Sequence, residues 1–213
     1  MPKSSTRSPC CALRTDCNDM PKITRVSLMT LEAYAKTRND FRARVIAHKQ
    51  ARTVPLGGNV NLIFEDELTM RYQVQEMLRV EKIFEEAGIQ NELEAYNPMI
   101  PDGNNWKATM MIEYAEVEER QRMLARLIGV EDRVWVRVTG FASVYGIADE
   151  DLDRSTDEKT SSVHFLRFEL DSNMKQALKS GATLAAGVDH PNYRVSVDPL
   201  LPATRSALLQ DLS

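Results

Sequence analysis

Alternating apolar and polar residues recur along the chain in no fixed rhythm with the helical runs between them, and this order restricts the fold more than any other feature. Val60, Leu62 and Phe64 share one face of Asn59–Glu65, and Trp106, Ala108, Met110, Ile112 and Tyr114 do the same further on. Val134, Val136 and Val138 alternate so cleanly over Arg133–Thr139 that a half-buried antiparallel strand is expected, with residues 141–147 paired to it. Strand patterning resumes over Ser162–Leu170 and Ala182–His190. Helical spacing marks Leu31–Arg52, where Tyr34, Phe41, Val45 and His48 form a stripe behind the cap Thr30. It returns over about Glu67–Ala87, broken by Gly88, and in a shorter helix to about Tyr96. Further helices are expected over 116–128, closed by Gly129, over 172–179 and over about Pro202–Leu212. Strict strand–helix alternation, the mark of a doubly wound parallel sheet, is missing. The expected architecture is therefore α+β: a mostly antiparallel sheet of about five or six strands with helices packed on it, in a single domain over residues 23–213.

At 213 residues and 43% apolar content the chain can bury one sizeable core. Residues 1–22 have clustered Ser, Thr and Pro, few apolar residues and no period, so a disordered N-terminal extension is expected there. Met20-Pro21-Lys22 echoes Met1-Pro2-Lys3, and residues 1–19 read as an upstream extension of the gene. All three cysteines, Cys10, Cys11 and Cys17, fall in that stretch. This argues against a secreted disulfide framework, and a soft-metal site there lacks a fourth ligand. No apolar run resembles a signal peptide or approaches the ~20 residues of a membrane span, so a cytoplasmic protein without a membrane partner is expected.

A net charge of −4 argues against a protein that coats nucleic acid, which needs a broad positive surface, although a local patch stays open. Residues 31–52 hold six basic residues against Glu32 and Asp40. Arg38, Arg42, Lys49 and Arg52 either cover the edge of the apolar stripe with their stems or contact a phosphate or acidic partner.

No nucleotide-binding glycine loop, nucleophile elbow or zinc-spaced His/Cys cluster occurs, so no motif fixes a reaction. Asp149, Asp151 and Asp153 have calcium-loop spacing in an acidic segment expected to be an exposed loop. Arg154 stands where that loop needs Gly and Thr160 where it needs Glu, which excludes calcium. His164 shares a strand face with Leu166, Phe168 and Leu170, and His190 with Leu184, Ala186 and Val188. Each imidazole is either a hydrogen-bonded core residue or a ligand. Glu76 can pair with Arg79 at i,i+3. If that helix packs on the His-bearing face, His164, His190, Glu76 and Glu81 would form an oxygen–nitrogen metal site. His190-Pro191-Asn192-Tyr193 suits a tight turn, or a loop in which His190 and Tyr193 face a pocket.

The series Arg38-Asn-Asp-Phe41-Arg42, Lys49-x-x-Arg52, Gly57, Phe64-Glu65, Thr69, Gln73-Val-Gln75-Glu76-Met77, Glu81, Tyr96-Asn97-Pro98, Ile100-Pro101, Ala108-Thr109 and His190-Pro191-x-Tyr193 resembles a bacterial domain-of-unknown-function family whose members are about this length. The resemblance spans roughly Thr24 to Leu212. Two departures are Phe64-Glu65-Asp66, where the family usually has Phe-Glu-Asn, and Trp106-Lys107-Ala108-Thr109, where it has Leu-Ser-Ala-Thr. Genes of that family often lie beside a rubrerythrin-like di-iron protein and an iron-sulfur oxidoreductase, so the resemblance implies those partners and a link to a redox or peroxide-stress system. Two functions follow as expectations. One is an accessory protein that docks such a partner through its basic helix. The other is a metal-dependent or small-ligand enzyme using His164, His190 and one of Glu65, Glu76, Glu81 or Glu113.

Overall fold

Two antiparallel sheets take up the alternating runs. A computed structural model describes residues 22–150 and 152–213, so the expectations for residues 1–21, their cysteines and Asp151 lie outside the described residues. Helix α1 (Leu31–Arg52) starts on Thr30, whose hydroxyl accepts from the Ala33 amide. It runs directly into strand β1 (Thr53–Leu56), which forms a hairpin with β2 (Val60–Glu65). Helices α2 (Glu67–Val80) and α3 (Glu86–Tyr96) lead to β3 (Asn105–Ile112), α4 (Val117–Arg126) and β4 (Val134–Val138). Two short strands, β5 (Val144–Tyr145) and β6 (Ile147–Ala148), precede β7 (Val163–Glu169), α5 (Ser172–Lys179), β8 (Leu184–His190), β9 (Tyr193–Val197) and α6 (Pro202–Leu209).

The α+β class and antiparallel pairing agree with the sequence, but the strands divide between two sheets, ordered β1-β2-β3-β7-β6 and β5-β4-β8-β9. Their apolar faces share one core. Leu62, Phe64, Trp106, Met110 and Phe168 from the first sheet join Val134, Val136, Val138, Ala186 and Val188 from the second. Residues 141–147 supply both sheets: β5 pairs with β4 and β6 with β7. The crossing lies at Gly146, where a Cβ would meet the Phe168 ring at 3.1 Å. Strand β1 escapes the sequence pattern because it is four residues long and contains Pro55. An edge position tolerates that proline, since no neighbour on its outer side needs the missing N–H.

The α2–α3 break falls at residues 81–85, not at Gly88. Lys82 adopts φ +55° and the Ile83 amide reaches back to Leu78 O at 2.9 Å. Gly88 instead lies inside α3, where its missing side chain makes room for Ile83. Helices α1 and α2 pack through Tyr34, Phe41 and Val45 against Leu68 and Tyr72. Among the described residues no helix is long and apolar enough to cross a membrane.

The β1–β2 hairpin leans on the β8–β9 turn. Tyr193 Oη donates to Leu56 O at 2.5 Å, and Gly57, at φ +77°, would bring a Cβ within 2.7 Å of that hydroxyl. Gly57→Ala should therefore cost about 2 kcal/mol, from left-handed strain and displacement of Tyr193. That corresponds to a fall in Tm of roughly 4–8 °C in thermal unfolding. An unchanged Tm would show that the hairpin is not anchored there.

Candidate functional site

The two histidines are consumed by the fold. His190 Nδ1 accepts from the Asn192 amide and Nε2 faces Ile128 O, both at 3.2 Å, which assigns the ring proton to Nε2 and leaves no lone pair for a metal. This is the turn-anchoring reading. His164, fully buried on β7, places Nδ1 2.5 Å from Asp149 Oδ2 and Nε2 2.8 Å from Thr160 Oγ1 and 3.1 Å from Ser161 O. Glu131 completes the cluster through Thr160 and Ser155. The acidic segment after β6 is thus no free loop: Asp149 and Thr160, at its two ends, clamp onto His164.

Glu76 lies elsewhere, on the α1–α2 face. Arg38 grips it with two hydrogen bonds of 2.7 and 2.9 Å, Arg79 adds one at 2.9 Å, and Tyr34 Oη donates at 2.5 Å. The i,i+3 pair forms, inside a larger cluster. Glu81 is exposed at the end of α2. The structure therefore does not bring His164, His190, Glu76 and Glu81 together, and no group of three or more His, Cys, Asp or Glu among the described residues is placed to hold a metal. Three of the four residues of the expected docking face are engaged within the chain. Arg38 is held by Glu76, Lys49 stands 3.5 Å from Glu65, and Arg52 is 1% exposed, so of these four residues Arg42 is the exposed one, with Lys36 and Arg44 exposed beside it on α1. Arg52 cannot meet a partner: it donates to Phe64 O at 2.9 Å, to Glu65 O and Ala207 O at 3.2 Å, and to Asp211. Burial pushes the Asp211 carboxyl up to about 6 despite this neighbour, so the contact carries a desolvation cost.

The end of β2 creates the site that sequence reasoning half saw. Alternation sends Phe64 into the core and Glu65 to the opposite face, which solvent would ordinarily reach. Glu65 is nevertheless 3% exposed. Its Oε1 accepts from Thr109 at 2.8 Å, but its Oε2 accepts no hydrogen bond among the described residues, and Lys49 Nζ at 3.5 Å is near enough only for an ion pair. That carboxylate lines a cleft of about 360 Å³ over the outer face of the five-stranded sheet, between α3 and strands β3, β6 and β7.

One row of cross-strand partners, Glu65, Lys107, Arg167 and Ile147, crosses the cleft floor. Arg167 is engaged by Glu150, with two hydrogen bonds of 2.7 Å, and by Glu169; both carboxylates raise its pKa, and Arg167 in turn lowers that of Glu150. Lys107 has no hydrogen bond or ion pair among the described residues. Burial lowers its pKa, and Arg167 beside it adds to that. Phe165, Pro98, Met99 and Ala95 form apolar walls. Sequence reasoning named Glu65 as a candidate and missed the cleft, because its walls come from segments far apart in the chain.

The family model described as "Protein of unknown function (DUF3501)" matches residues 22–212. Among solved structures, the chain is similar to the crystal structure of a novel protein of unknown function from Burkholderia pseudomallei. The identity is 56% and the TM-score 0.86, over 91% of this chain and 100% of that one. No curated protein matches.

The Arg38 contact, more than any other, holds the Glu76 carboxyl down to about 2. A depressed folded pKa means that the stability this group adds is present above the ordinary value of 4.5 and is lost as pH falls from there towards 2. Glu76→Gln should lower stability at neutral pH by about 1–3 kcal/mol and flatten this acid limb in thermal unfolding followed from pH 7 to pH 2.5. Parallel curves for the two proteins would contradict the assignment.

Proposed function

The chain belongs to the DUF3501 family, and we propose that it is a small-ligand-binding protein whose site is the cleft on the five-stranded sheet. One observation carries the reading: Glu65, nearly fully buried, is part of the cleft lining and keeps one carboxylate oxygen without a hydrogen-bond donor. A buried carboxylate short of a donor costs stability, and such a cost is typical of a group kept for a ligand. Lys107, the neighbouring half-buried cation, meets no counter-charge at hydrogen-bond distance, which strengthens the reading. Apolar walls with a few converging polar groups are the usual make-up of a small-molecule site.

The link to a redox or peroxide-stress system enters this proposal as the process that the bound ligand would serve, and it rests on the gene-neighbourhood resemblance alone. Docking of a rubrerythrin-like or iron-sulfur partner through α1 loses support, because Arg38, Lys49 and Arg52 are engaged within the chain.

Ala95 is exposed at the cleft rim, so Ala95→Trp fills the opening without touching the core. A small-molecule extract of the expressing cells should raise the Tm of the wild-type protein, by roughly 5–10 °C for a ligand at a hundred times its Kd. It should leave Ala95→Trp unmoved. Equal shifts in both proteins would place the binding site elsewhere, and no shift in either would remove the proposal.

A further inference from the structure

Building on the cleft as a ligand site, we infer that its ligand is a free α-amino acid with an apolar side chain, its ammonium held by Glu65 and its carboxylate by Lys107. Glu65 and Lys107 are directly opposed partners on β2 and β3, so their side chains leave the same face of the sheet next to each other. They do not close into an ion pair: Glu65 turns to Thr109 and Lys49, and Lys107 stays unpaired. Two opposite charges stand side by side in the lining of one cleft. Among the described residues Lys107 has no hydrogen bond or ion pair and Glu65 has one oxygen that accepts no hydrogen bond, and they match a molecule that carries the complementary charges on adjacent carbons.

Other ligand classes fit less well. Glu65, Glu94 and Glu150 outnumber Lys107 and Arg167 among the lining residues, and Arg167 is already paired with Glu150 and Glu169, so a purely anionic ligand meets repulsion. A purely cationic ligand would leave Lys107 half-buried without a counter-charge. The remainder of the ligand would lie on Phe165, Ile147 and Met99, which favours a branched aliphatic or aromatic side chain over a polar one.

Isothermal titration calorimetry of the full chain with four probes tests this: L-leucine, L-phenylalanine, 4-methylpentanoate, which lacks the amine of leucine, and 3-methylbutylamine, which lacks its carboxylate. Saturable binding of L-leucine or L-phenylalanine is expected, with each single-charge analogue weaker by about ten-fold or more. Glu65→Gln should weaken L-leucine by about ten-fold and leave 4-methylpentanoate unchanged. Lys107→Met should weaken L-leucine similarly and leave 3-methylbutylamine unchanged, and Ala95→Trp should abolish all binding. The analogue comparison needs only the wild-type chain, so an unfolded variant cannot spoil the test. An analogue that binds as tightly as L-leucine at a site blocked by Ala95→Trp overturns the amino-acid assignment while the cleft reading stands. The same holds if none of the four probes binds while cell extract stabilises the wild type and not Ala95→Trp. Silence from both probes and extract overturns both.

Discussion

The buried guanidinium of Arg52 is the contact on which the rest of the site depends. It lies at the last turn of α1 and ties together the end of β2 through Phe64 O and Glu65 O, the start of α2 through Asp66 at 3.5 Å, and α6 through Ala207 O and Asp211. Removing one partner from such a buried charged cluster typically costs about 3–5 kcal/mol, far more than the net worth of its ion pairs. The same turn of α1 carries His48, 2.5 Å from Asp66 Oδ2, and Lys49, 3.5 Å from Glu65 Oε2. Three basic residues within one turn and a half therefore meet Asp66, Glu65 and Asp211. Asp66 in turn caps α2 by accepting from the Thr69 amide, and the Thr69 hydroxyl accepts from the Asp66 amide. The β2–α2 junction is fixed on both sides, and Glu65 is held where it faces the cleft.

This arrangement explains why a buried carboxylate can remain short of a donor. Arg52, the strongest nearby donor, spends its hydrogen bonds on backbone carbonyls and on Asp211, not on the Glu65 side chain. On the far wall Glu150 and Glu169 occupy Arg167 and keep it from swinging across to Glu65. Glu150 follows Asp149, which is clamped to His164 inside the sheet, so the acidic segment between β6 and β7 shapes the cleft mouth from the core outward.

Much of the fold was legible because it rests on local periodicity. The stripe of α1, the Thr30 cap, the valines of β4 and the Gly129 turn were all readable residue by residue. The two-sheet division was not, because it depends on β5 and β6 joining different sheets on either side of a single Gly146. Site residues fared worse for a related reason. Inward-facing His164 and His190 were readable as core residues or ligands, and their partners, Asp149 and the Ile128 carbonyl, are groups that no spacing rule anticipates. Arg52 looked like a surface cation at the end of a basic helix, and only α6, 155 positions away at Ala207, buries it. Glu65 was a candidate and Lys107 was not, and the cleft they share stayed hidden because the α3 and Asn97–Met99 wall is set by tertiary packing.

Whether the Arg52 framework presents Glu65 to a ligand is decided by a crystal structure of the protein grown with L-phenylalanine. The predicted result is an amino acid in the cleft with its ammonium about 2.7–2.9 Å from Glu65 Oε2, its ring against Phe165 and the Arg52 contacts unchanged. A structure in which Glu65 Oε2 is instead satisfied by a protein donor, with the cleft closed over it, would contradict this role for Glu65.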